Sequence, residues 1–84
     1  MGNKFLDKVI DNIVSETRID YDRGKVYTPF YVFFLYKDPT YFHHISSYNF
    51  TMHCKDVYGL NKEETEYVWN EYKEIINDKL KDNG

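Results

Sequence analysis

Apolar residues recur at helical spacing at the start of the chain, alternate with polar ones after it, and return to helical spacing at the end. Phe5, Leu6, Val9, Ile10, Ile13 and Val14 form one face, with Lys4, Asp7, Lys8, Asp11 and Ser15 opposite, which predicts a helix from Lys4 to about Glu16 capped by Asn3. Thr17 to Tyr21 and Lys25 to Thr28 alternate on either side of Asp22-Arg23-Gly24, the pattern of a hairpin whose glycine takes positive φ. Phe30 to Tyr36 is aromatic and β-branched and reads best as a strand buried on both faces, with Pro29 at a bulge or sheet edge. Thr28-Pro29 also has the form of a helix start, with Thr as cap and Pro in the first turn. A turn at Lys37-Asp38-Pro39-Thr40 leads into Tyr41 to Ser46, in a three-stranded antiparallel meander.

Ser46-Ser47 can cap the next element, in which Phe50, Cys54, Val57 and Tyr58 fall on one helical face. Gly59 then predicts a left-handed C-cap, and Leu60 its hydrophobic contact. Asn61 and Glu64 have the spacing of a capping box, opening a last helix from Lys62 to about Lys81 with Val68, Trp69, Tyr72, Ile75, Ile76 and Leu80 as its buried stripe. The predicted architecture is α+β: an N-terminal helix, a short three-stranded antiparallel sheet and two C-terminal helices packed on one face.

At 84 residues, 42% hydrophobic and 30% charged, the chain reads as one compact globular domain over 1–84. No apolar run approaches the roughly 20 residues of a membrane-spanning helix, so no membrane partner is expected. The N-terminus lacks the uninterrupted apolar segment of a secretory signal, and the single cysteine, Cys54, cannot form an intrachain disulfide. A cytoplasmic location is therefore expected.

Between Tyr27 and Phe50 lie ten aromatic residues: Tyr27, Phe30, Tyr31, Phe33, Phe34, Tyr36, Tyr41, Phe42, Tyr48 and Phe50. A chain this short buries only about 60% of its unfolded surface, so some rings stay wet. The phenylalanines, without a polar handle, are assigned to the core. The tyrosines, Tyr31 and Tyr41 among them, are assigned to a surface that a partner covers.

The last helix gathers Glu63, Glu64, Glu71, Glu74 and Asp78 on one arc, with Tyr67 inside it. Like charges at these spacings cost a few tenths of a kcal/mol each, so the ridge does not serve the helix. It keeps the domain soluble, or it docks on a basic surface of another protein with Tyr67 as the aromatic anchor. Imitation of nucleic-acid phosphates is a third use, for which five carboxylates are few.

His43, His44, His53 and Cys54 invite a metal or Cys/His reading. Within one helix His43 and Cys54 would stand about 16 Å apart, and the pairs lack the spacing of zinc-ligand arms. Adjacent His53 and Cys54 point away from each other, and nothing places an orienting carboxylate beside them. The glycines are too scattered for a phosphate-cradling loop. No catalytic residue, metal or cofactor is therefore assigned.

The α-β-β-β-α order resembles the double-stranded-RNA-binding domain in topology. That family carries a basic cluster at the start of its second long helix, where this chain has Asn61-Lys62-Glu63-Glu64-Thr65-Glu66. The resemblance therefore implies the topology and not RNA binding, and a net charge of −3 also argues against direct nucleic-acid contact. The expected function is that of a small acidic protein-binding module. Its partner is another protein with a basic surface, or a second copy in a homodimer. Accessory proteins of bacteriophages and mobile elements that inhibit or redirect a cellular protein share this character: short, acidic and tyrosine-rich.

Overall fold

The computed structural model describes residues 4–34 and 44–82, with side chains placed outside 44–46 and 82. Helix α1 (Lys4–Ser15) is followed by strands β1 (Arg18–Asp20), β2 (Lys25–Tyr27) and β3 (Val32–Phe34), helix α2 (His44–His53), a π-helical turn (Cys54–Tyr58) and helix α3 (Lys62–Asp82). The predicted α+β architecture is observed. The capping by Asn3, the turn at 37–40 and the positions of Tyr36, Tyr41, Phe42 and His43 lie outside the described residues.

α1 buries Leu6, Val9, Ile10 and Ile13 against α3, while Phe5, expected on the same face, is half exposed. The sheet is antiparallel in the order β1-β2-β3. Its register aligns Ile19, Val26 and Phe33 across one face, and Val26 and Phe33 are buried. The β1–β2 turn closes on Asp20, whose Oδ1 accepts the Arg23 N–H at 3.0 Å, and Gly24 has the predicted positive φ of 66°.

The β2–β3 connection corrects the sequence reading. The strand expected over Phe30 to Tyr36 begins only at Val32, because Thr28-Pro29-Phe30-Tyr31 is a tight turn. Thr28 N–H donates to the Tyr31 carbonyl at 3.0 Å, and the Thr28 hydroxyl oxygen accepts the Tyr31 N–H at 2.7 Å and the Phe30 N–H at 3.2 Å. Pro29 sits at the corner, where its missing donor costs nothing. It forms neither a bulge nor a helix start.

A second correction concerns Tyr41 to Ser46. Residues 44–46 belong to α2 and not to a strand, so among the described residues the sheet consists of β1 to β3, and the Ser46-Ser47 pair lies inside a helix. Apolar residues are spread around α2 without a clean stripe, so packing of Phe50 rather than amphipathicity holds it in place. Beyond it the π turn widens the helix by a residue and rotates the segment that leads to α3. Cys54 is fully buried, as expected, but Val57, expected beside it, is 59% exposed. The turn ends at Gly59 in the left-handed conformation. There the Gly59 N–H reaches the Lys55 carbonyl at 3.1 Å and the Leu60 N–H reaches that of Cys54 at 3.3 Å.

The two ends of the core meet in an aromatic cluster. The β2–β3 turn aims Phe30 at Phe50, Tyr72 and Trp69, with ring centroids 5.0, 5.7 and 6.0 Å away in edge-to-face geometry. Phe50 and Tyr72 are fully buried, and Val68 and Ile76 continue the stripe along α3 toward α1.

Candidate functional site

The start of α3 fixes everything that the helix presents. Asn61 Oδ1 accepts the Glu64 N–H and Glu64 Oε1 accepts the Asn61 N–H, both at 2.9 Å, a reciprocal capping box as the sequence predicts. With Val68, Tyr72 and Ile76 facing inward, the helical period turns Glu63, Tyr67, Glu74 and Asp78 outward. Tyr67 is 40% exposed and stands among these carboxylates. Glu71 is half-buried, and Glu64 is also half-buried with one oxygen committed to the cap. Among the described residues, no ion pair engages Glu63, Glu71, Glu74 or Asp78; the ion pairs found are those of Asp20 with Arg18 and Arg23.

The expected tyrosine surface is divided by the fold. Tyr48 on α2 is 66% exposed, with Met52 one turn away. Tyr31 is half-buried in the β2–β3 turn, its ring 5.2 Å from that of Phe33, on a different element from the ridge. Tyr27 lies on the outer face of the sheet, where the Arg18 guanidinium stands 4.6 Å from its ring centroid. Phe34, assigned to the core from sequence, lies on that same outer face, with Lys25 Nζ 5.6 Å from its ring. Tyr41 lies outside the described residues.

The Cys/His cluster does not supply a nucleophile. Cys54 is sealed in the core, and burial pushes its thiol up to about 12, so it is neutral and inaccessible at physiological pH. His53 packs between Phe30 and Tyr58, with centroids at 6.4 and 6.0 Å. Among the described residues no group of three or more His, Cys, Asp or Glu is placed to hold a metal ion. No helix among them is long and apolar enough to cross a membrane.

Sequence reasoning missed a groove of about 530 Å³ between α2 and α3. Ser47, Thr51 and Lys55 line it from one side, and Lys62, Thr65, Glu66 and Trp69 from the other, with Leu60 where the two segments meet. The α3 set has i, i+3, i+4, i+7 spacing, and Ser47, Thr51 and Lys55 step by four. Each half is visible in the sequence as a stripe, but only the fold places the halves opposite each other. Trp69, read from sequence as buried, is half-buried and lines this groove.

Comparison with known protein families, curated proteins and solved structures finds no match to this chain.

Proposed function

We propose that this protein is a small acidic binding module that docks α3 on a basic surface of another protein and, by covering it, inhibits or redirects that partner. The observation that carries the reading is Tyr67, 40% exposed among the carboxylates of Glu63, Glu74 and Asp78, which have no ion-pair partner among the described residues. An aromatic ring in a charged frame has the composition of an interface anchor with its rim. The ring gains by desolvation, and the unpaired charges steer encounter and reject acidic surfaces. Helix stability does not explain the arrangement, since these neighbours repel.

The test places a photo-crosslinking phenylalanine analogue at position 67 in the native host and identifies the adduct. The partner is then purified and titrated with wild type and with Glu71→Lys/Glu74→Lys. Binding weakened about tenfold or more by the reversal, and weakened further by salt, supports the reading. An adduct whose purified form binds the reversed variant as well as wild type overturns it. Self-association is the other outcome: a light-scattering mass of twice the chain, with adducts only to itself, assigns the exposed rings to a homodimer.

A further inference from the structure

The groove between α2 and α3 carries a feature that protein docking by the acidic face does not use. Thr65 is 5% exposed as a residue and lines the groove; no hydrogen bond of its hydroxyl is found among the described residues, and the oxygen is not among their sealed, partnerless polar atoms, so it is open to the groove. A helical threonine commonly satisfies its hydroxyl on the carbonyl four residues back. Here no such bond is found, and the hydroxyl is left for whatever enters the groove.

Its surroundings define what that is. Lys55 and Lys62 both line the groove, and neither forms an ion pair among the described residues; they outnumber the one carboxylate there, Glu66. The groove also reaches the N-terminal end of the 21-residue α3, where the helix dipole favours negative charge, although the Asn61–Glu64 box and the Glu63 carboxylate already answer part of it. Trp69 and Leu60 supply an apolar surface beside these cations. A volume of about 530 Å³ matches sites for small molecules.

We propose that this groove binds a small amphiphilic anion: a carboxylate or phosphate head held by Lys55, Lys62 and the Thr65 hydroxyl, and an aromatic or aliphatic body against Trp69 and Leu60. The acidic face of α3 lies outside it, so the site stands whether or not that face docks on a protein.

Phenylacetate, phenyl phosphate and neutral phenylacetamide, titrated into the ¹⁵N-labelled protein, separate the outcomes. Amide shifts are expected at Thr51, Lys55, Leu60, Thr65 and Trp69, with the anions binding about tenfold more tightly than the amide and losing that margin in high salt. The better of the two anions identifies the head group. Lys62→Gln, an exposed position, and Thr65→Val should each weaken the anions several-fold and leave the amide unchanged, while Thr65→Ser retains binding. Should Thr65→Val fail to fold, Lys62→Gln and Thr65→Ser carry the test. Equal binding of anion and amide, shifts outside the groove, no saturable shifts at millimolar probe, or wild-type affinity in Lys62→Gln each overturns the proposal.

Discussion

The hydroxyls of Thr17 and Tyr72 meet at 2.8 Å across the junction between the end of α1 and the middle of α3. Thr17 spends its one proton on the Ile13 carbonyl at 2.7 Å, so Tyr72 donates and Thr17 accepts. The order matters for substitution. Tyr72→Phe leaves Thr17 still bonded to Ile13 and should cost about 1 kcal/mol, whereas Thr17→Val takes this acceptor from a buried phenol and should cost about 1–3 kcal/mol. Urea midpoints of the two variants check this, and a larger loss for Tyr72→Phe would reverse the assigned direction.

The same burial makes stability sensitive to alkali. Burial holds the Tyr72 phenol at about 12, against an ordinary 10.0, and Cys54 at about 12 against 9.0. Both groups are neutral when protonated, so the folded state retains protons that the unfolded chain releases. Their contribution is therefore complete below the unfolded values and is lost as pH rises from about 9 to about 12. Urea midpoints measured across that window should fall, and Tyr72→Phe should flatten the upper half of the decline.

Phe30 is a turn residue with a core residue's contacts. Phe30→Ala removes the ring that touches Phe50, Trp69 and Tyr72 at once and should cost about 3 kcal/mol, near the value for a central aromatic. Trp69, the chain's one tryptophan, reports the change by a shift in its fluorescence maximum.

At Gly59 the effect of substitution is purely one of backbone. A Cβ there meets nothing within 4 Å, but φ is +66°, so Gly59→Ala should cost about 1–2 kcal/mol without any clash. A thermal-unfolding comparison with wild type measures it, and the native spectrum should be unchanged.

Neutralising the ridge should raise stability. With no ion pairs on Glu71 or Glu74 among the described residues, Glu71→Gln/Glu74→Gln removes repulsion and should gain a few tenths of a kcal/mol at low salt, vanishing at high salt. A loss of stability in low-salt melts would mean that these carboxylates support the fold.

Signals that lie within one element were legible in the sequence. The stripe of α1, the left-handed Gly24 and Gly59, the Asn61–Glu64 box and the face of α3 each depend on residues a few positions apart. The errors arose where an unforeseen local bond or a tertiary contact overrode the pattern. Thr28 folds its hydroxyl back on Phe30 and Tyr31 and shortens a strand that composition alone would lengthen. α2 has no apolar stripe to announce it, so its first residues read as strand, and Val57 depends on a π turn that no local pattern encodes. The ridge around Tyr67 could be drawn on a helical wheel. The groove could not, because Thr51 and Trp69 are neighbours only through the packing of two helices.

The π turn at Cys54–Tyr58 works as a phase adjuster. One surplus residue lets Cys54 stay sealed while the chain after it is turned, so that Gly59 arrives at the angle from which α3 can start. Removing Asp56 would restore a regular helix, swing Val57 inward and shift the origin of α3. The direction in which Tyr67 and its carboxylates point is thus set about ten residues upstream, by a local excess of chain length.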